Sequence, residues 1–321
     1  MNTANMTVAL HSLVNVDFKE YEHVIKEPYH AFNSAGFALL NQHKCDSVFA
    51  FLYKDSKYRL GILAGEKDGM LLSPFSAPFG GFSFLKADVQ ISAIENAVVL
   101  LEEFALEKGL KGIRLVLPPL IYDRTFLSKL INVLYRRSYR VFNLDMDFYI
   151  DLQDGQPYLD RIWKTARQNL RTSLQQDFTV SLCNGDREAM ELIYEIIKEN
   201  RTLKGRPMHM EFAEVLETTA VIPMDFFLLK HNHVPVAGAI AYAAAEAIQY
   251  ISFWGDLPGF SSMRPMNFLS YHIEEYYKKK GIKYLHFGIA TEQSKPNYGL
   301  CQFKESIGCT ITPKLSFEKM V

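Results

Sequence analysis

At 321 residues the chain is longer than one compact core usually spans, so two domains of about 150 residues are the first expectation. Hydrophobic residues make up 48% and charged residues 22%, which excludes a disordered chain. Lys plus Arg total 35 against 36 Asp plus Glu, so no global field draws the protein to DNA or to an anionic bilayer, and any polyanion contact has to be local.

The opening stretch "MNTANMTVALHSLV" has neither a basic n-region nor a long apolar run, and nothing later approaches the ~20 apolar residues of a membrane span. A cytoplasmic protein without a transmembrane segment is expected. Cys45, Cys183, Cys301 and Cys309 form no C-x-x-C pair, which argues against a zinc ribbon or a dithiol redox motif and suits a reducing compartment. No metal is expected.

In the first half, "SVFAFLY" and "YRLGILAG" flank a turn at 54–57 and read as two strands, with "GMLLSPF" as a third. The loop "SPFSAPFGGF" (73–82) follows, with the adjacent Gly80 and Gly81, then a helix from about Ile91 to Lys108, the strand "KGIRLVLPP", a helix near "DRTFLSKLINVLYRR" and the strand "YRVFNLDMDFYIDL". The join falls near Asp151 to Gln156, dividing the chain into domains 1–153 and 154–321.

The second half begins with one helix over "YLDRIWKTARQNLRTSLQQ", then "FTVSLC" as a strand and two helices over "DREAMELIYEIIKENRTL" and "HMEFAEVLETT". After these come strands at 225–231 and 234–244 around Asn232-His233, a strand at 247–254, a helix over "RPMNFLSYHIEEYYKKKG" and the strand "IKYLHFGI". "NYGLCQFKESIGC" reads as a short helix and "CTITPKLSF" as a last strand. His231 and His233 lack a nearby third ligand and read as turn residues.

The halves repeat. "EEFALEKGLK" (102–111) matches "EEYYKKKGIK" (274–283) at a constant offset of 172 residues, and the flanking elements agree in order. Only the second half shows a strand and two helices at its front.

Strand, two helices, three antiparallel strands, helix, strand, helix, strand is the order of the GNAT acyltransferase fold, a mixed α/β sheet, and the second half resembles it throughout. Two such units in tandem, the first degenerate, resemble the Fem-type (FemAB-like) acyl- and aminoacyltransferases. "ARQNLRTSLQQDFTV" is similar to that branch's basic helix. Gly299, Leu300, Phe303, Lys304 and Gly308 resemble its C-terminal Gly-Leu-x-x-Phe-Lys-x-x-x-Gly segment. The resemblance implies a bacterial N-acyltransferase that passes an acyl or aminoacyl group to an amine of a cell-wall or polysaccharide precursor, at the inner face of the membrane. Its donor would be acyl-CoA or aminoacyl-tRNA, with no tightly bound cofactor. The alternative is a non-catalytic protein that binds a polysaccharide or lipid-linked precursor. The chain departs from the pattern twice: "GDLPGFSSMRPMNFL" lacks the glycine-spaced CoA loop, and no segment could form the long helical arm of some Fem-type enzymes.

The candidate residues follow from that chemistry. Lys304 would stabilise the oxyanion formed when an amine attacks an acyl carbonyl, with Phe303 as a dry wall; a core Phe beside a surface Lys is the alternative. Glu292 or His286 could take the amine's proton and Tyr298 could protonate the leaving group. Arg167 and Arg171 share a helix face suited to phosphate, or form a solvated polar face, and Trp254 would line the substrate site. Gly80 and Gly81 could offer backbone amides to a ligand, or simply make a tight turn, while Arg264 and Asn267 stand where a cofactor's phosphate would lie.

Overall fold

The computed structural model describes residues 11–321, so residues 1–10, which make up most of the stretch read for a leader segment, lie outside the described residues. In chain order the elements are β1 (Ser12–Val16), α1 (Phe18–Val24), α2 (Ala35–Asn41), β2 (Ser47–Lys54), β3 (Tyr58–Lys67), β4 (Met70–Ser73), β5 (Phe82–Phe84), α3 (Ile91–Glu107), β6 (Gly112–Val116), α4 (Arg124–Arg136) and β7 (Arg140–Asp151). Then follow α5 (Tyr158–Arg161), α6 (Lys164–Leu174), β8 (Phe178–Leu182), α7 (Arg187–Leu203), α8 (Phe212–Thr219), β9 (Met224–His231), β10 (Val234–Ala245), β11 (Ile248–Asp256), α9 (Pro265–Lys279), β12 (Tyr284–Ile289), β13 (Thr291–Glu292), β14 (Lys295–Pro296), α10 (Tyr298–Ser306) and β15 (Thr310–Met320). The fold is mixed α/β. Its described residues divide into two compact units, one of residues 11–144 with 314–321 and the other of residues 145–313.

In the first unit β1, β2, β3 and β4 run antiparallel in sequence, β4 pairs parallel with β6, and the C-terminal β15 pairs antiparallel with β6. Phe49, Phe51, Leu60 and Ile62 meet α3 and α4 on one face, and Ala50, Leu52 and Leu63 meet α1 and α2 on the other, as strand alternation requires. The first unit therefore does have a strand and two helices at its front, contrary to the sequence reading. Both helices are only seven residues long, too short for a periodic pattern, and are started by side-chain caps: Asp17 accepts from the Glu20 amide and Ser34 from the Phe37 amide.

The second unit orders its strands β7, β12, β11, β10, β9, β8. Phe148, Ile251, Leu285 and Phe287 pack with Phe268 and Ile273 of α9, Cys301 of α10 and Ile307 just after it, while α7 lies on β10 and β11. The helix expected over 158–176 is broken: Ile162 and Trp163 are extended, and the Trp163 amide donates to Ser306 O at 2.9 Å, so α5 and α6 are separate. A short hairpin at 291–296, which the sequence reading missed, is pinned by Asp145, whose carboxylate accepts from the Thr291 hydroxyl at 2.6 Å and the Ser294 amide at 3.3 Å.

The internal repeat has a structural cause. Gly109 and Gly281, at φ +69° and +74°, close α3 and α9 with the same cap, in which the Leu110 amide reaches Ala105 O and the Ile282 amide reaches Tyr277 O. The first Glu of each copy is buried in an ion pair, Glu102 with Arg137 and Lys319, Glu274 with Arg161.

Candidate functional site

β11 and β12 run parallel but pair only where Ile248–Tyr250 meet Tyr284–His286. Beside this point β11 loses register with β10 between Ile240 and Ala241, and β12 loses register with β7 between His286 and Gly288. Bulges re-aim side chains and end pairing, and ligands of open α/β sheets bind beyond the carboxyl ends of the strands. The opening between β11 and β12 is therefore the candidate site of the second unit.

On the face covered by α7, Tyr250 stacks on His286 with ring centroids 4.4 Å apart. His286 Nε2–H donates to Asp147 Oδ1 at 2.6 Å, and both side chains are 1% exposed. Tyr250 also lies across Gly288, where a Cβ would stand 3.0 Å from its ring and hydroxyl, so glycine serves there both for space and for a φ of +69°. Burial first, then the nearby Asp147 charge, raises the Tyr250 phenol above its ordinary value, so it keeps its proton.

Two arginines stand at the edge of this group. Asn200 ties the last turn of α7 to β11 by donating to Asp256 O at 2.6 Å, and Arg201 follows it with its guanidinium 5.9 Å from the Phe253 ring centre. Gly205, at φ +68°, reverses the chain so that the Arg206 amide donates to Arg201 O at 2.8 Å. Burial and then the Arg206 charge pull the Arg201 pKa down. Among the described residues no carboxylate is among the charges acting on Arg201, and Arg201 Nε has no hydrogen-bond partner. The cap thus makes the two arginines neighbours, and guanidinium groups without a carboxylate partner can receive an anion.

On the opposite face Trp254 packs on Phe287 at 5.2 Å and on Phe303 at 5.5 Å. Asn297 caps α10 by accepting from the Leu300 amide, and the helix then buries Lys304 to 2% exposure. The burial of the Phe-Lys pair is the reverse of a core Phe beside a surface Lys: Phe303 is half-buried and Lys304 is enclosed. Lys304 Nζ donates to Phe287 O at 2.7 Å, Gly288 O at 2.8 Å and Ile289 O at 3.0 Å, so no ammonium proton is directed at a substrate oxyanion. Gly308, at φ +88°, is glycine because Arg161 occupies the place of a side chain, 2.7 Å from where its Cβ would be.

The remaining sequence candidates are dispersed. Tyr298 is 80% exposed and Glu292 is exposed on the 291–296 hairpin. Arg171 is exposed and Arg167 donates to Leu159 O at 3.0 Å, so the structure does not bring either to the buried Lys304. Arg264 is exposed and left-handed at φ 60°, immediately before α9, whose start has Pro265 and no side-chain cap; Asn267 is 5% exposed within that first turn. Sequence reasoning missed Tyr250, Asp147, Arg201 and Arg206. The only signal for the arginines was their position on either side of a helix-ending Lys204-Gly205, where cations are ordinarily read as helix-dipole partners.

Gly80 and Gly81 belong to the first unit, and their amides are already used: Gly80 donates to Val116 O at 2.8 Å and Gly81 to Ser73 Oγ at 3.0 Å. The corresponding gap between strands is thus closed by the unit's own loop. A Cβ on Gly80 would meet the Pro74 backbone nitrogen at 2.8 Å. Gly80→Ala is expected to cost about 1–3 kcal/mol through overpacking, read as a lower urea midpoint at unchanged slope; an unchanged midpoint would contradict this account of the loop.

No family model and no curated protein matches the chain. Solved structures do. FemX superposes with a TM-score of 0.68 at 13% identity, covering 97% of each chain. The chain has the Fem-like tandem GNAT fold. The C-terminal domain of a lysylphosphatidylglycerol synthetase from Agrobacterium fabrum matches at 0.60 and 13% identity, over 94% of this chain and 92% of that one. A tandem GNAT protein from the clavulanic acid biosynthesis pathway matches at 0.52 and 6%, over 97% and 98%. Among the described residues no helix of the chain is long and apolar enough to cross a membrane, and no group of three or more His, Cys, Asp and Glu is placed to hold a metal ion.

Proposed function

We propose that the chain transfers an acyl or aminoacyl group from an ester or thioester donor to an amine of an acceptor that also carries phosphate, in the opening between β11 and β12. The observation that carries this reading is Arg201, within electrostatic reach of Tyr250 and of Arg206 across the helix cap, beside the Tyr250 ring stacked on the buried His286–Asp147 pair. The amine nitrogen attacks the acyl carbon, a C–N bond forms, and the C–O or C–S bond breaks. With an ester donor Tyr250 gives its proton to the departing alkoxide and regains one from the attacking amine; with a thioester the thiolate leaves unprotonated and the amine's proton passes to solvent. Acyl-CoA and aminoacyl-tRNA are the donor classes, with the uncapped start of α9 beside Arg264 as the place for a donor phosphate. The fold neighbours named FemX and lysylphosphatidylglycerol synthetase support transfer to a cell-wall or lipid precursor as the acceptor class.

The test is transfer of a labelled acyl group from each donor class to amine acceptors with and without a phosphate. Loss of two charge-assisted contacts in the Arg201→Ala, Arg206→Ala double variant should raise KM for the phosphorylated acceptor by roughly 10–100-fold or more. KM for its dephosphorylated form should not move. Absence of transfer from both donor classes would refute the reading.

A further inference from the structure

Lys304 is too deeply buried to meet a substrate, yet it is bonded to the strand that borders the opening. In a regular strand successive carbonyls point to opposite edges, so one cation does not ordinarily collect three in a row. Here it does, on Phe287, Gly288 and Ile289, because Gly288 takes a left-handed φ of +69° at the register shift between β12 and β7. A trans peptide sets each N–H opposite its own C=O, so the Ile289 N–H faces away from the ammonium that holds Gly288 O. The Ala290 N–H donates to Met146 O at 3.1 Å, and an antiparallel ladder uses alternate residues, which turns the Ile289 N–H from β7 towards β11. Pairing with β11 has already ended at His286, and Ile289 is 38% exposed.

We propose that Lys304 is a positioning residue that acts through the Gly288–Ile289 peptide: it clamps and polarises that peptide so that the Ile289 N–H is the oxyanion donor of the site. The cation pulls on the carbonyl, and the conjugated amide becomes a stronger and better fixed donor on its other side. This rests on the transferase reading for its catalytic half only; the clamp itself is a property of the fold.

Burial pulls the Lys304 ammonium down to about 8, opposed by Asp147, Cys309 and Cys301, in that order. The charged and titratable groups facing it are Asp147 on β7, with His286 of β12 bonded to it, Cys301 on α10 itself and Cys309 just beyond. Amide hydrogen exchange at pH 7 is the first readout. Lys304→Met should speed exchange of the Ala290 amide, which donates to Met146 O beside the clamp, by about tenfold or more, with the rest of the second unit unchanged. It should also lower kcat by about 10²–10³-fold with acceptor KM within about threefold, and Lys304→Arg should recover part of both. Faster local exchange at an unchanged kcat would reduce Lys304 to a structural residue and overturn the proposal, as would unchanged exchange. If Lys304→Met does not fold, the natural chain is compared at pH 7 and 9. Loss of the ammonium proton should then speed Ala290 exchange beyond the base-catalysed trend of the other amides, and no excess would overturn the clamp. If the natural chain transfers no acyl group from either donor class, the transferase reading fails by itself, and exchange alone decides the clamp.

Discussion

Arg161→Ala should be among the most destabilising single changes in the chain, costing about 3–5 kcal/mol because it leaves a buried carboxylate without its partner. Arg161 and Glu274 have side chains only 10% and 1% exposed, and Arg161 Nη2 donates to Glu274 Oε1. Asp154 approaches Arg161 at 3.8 Å and the Tyr158 ring lies 5.9 Å away, so the guanidinium joins α5 to α9 and, through Gly308, to the end of α10. Burial raises the Glu274 pKa above its ordinary 4.5, with Arg161 the largest opposing influence. A carboxyl raised in the folded state holds a proton that the unfolded chain has released, so stability falls as pH rises through the window above 4.5. Removing Arg161 widens that window. The variant should therefore be closer to the parent at pH 5 than at pH 8 in urea unfolding, and Arg161→Ala with Glu274→Gln should be less damaged than Arg161→Ala alone. Equal losses at both pH values would show that packing, not the unpaired charge, carries the cost.

The same pair shows what was legible in the sequence. The Glu-Glu start and Lys-Gly end of the repeated decapeptide are local features, and they mark two amphipathic helices ended by glycine caps, each burying the first Glu of the decapeptide. The partners of those glutamates lie elsewhere in the chain, Arg137 and Lys319 for Glu102, Arg161 for Glu274, at no common offset. Strand order was readable wherever alternation and turn residues were strong. The packing of residues 314–321 with the first unit was not, because Phe317 and Leu315 read as core residues of any strand. Nor was the break at Ile162–Trp163, since it depends on a hydrogen bond from the Trp163 amide to Ser306 O, far along the chain. In the site the chemistry is long-range: His286 and Asp147 are separated by 139 residues, and Tyr250 becomes notable only once stacked on His286. Lys304 was found through its motif, but its burial reverses the simplest reading of a short helix near the C-terminus.

Tyr250→Phe separates the two donor classes. Phenylalanine keeps the ring on His286 and across Gly288, so the variant should fold with a loss of about 1 kcal/mol or less, the net value of one ordinary hydrogen bond. It cannot donate a proton. A thiolate, with a conjugate-acid pKa of about 8.5, departs without help at neutral pH, whereas a ribose alkoxide is much more basic and needs a general acid. A phenol raised by burial and by Asp147 is poorly matched to a thiolate and well matched to an alkoxide. The expected result is a fall in kcat of about 10²–10⁴-fold with an aminoacyl ester donor and of only a few fold, roughly three to ten, with an acyl thioester. Single-turnover rates on both donors, with the acceptor saturating, would measure this. Equal losses would mean that Tyr250 only shapes the opening, and the proton for the leaving group would have to come from the acceptor amine itself. A large loss confined to the ester would assign the proton donor and the donor class together, because only an alkoxide leaving group makes the phenol necessary.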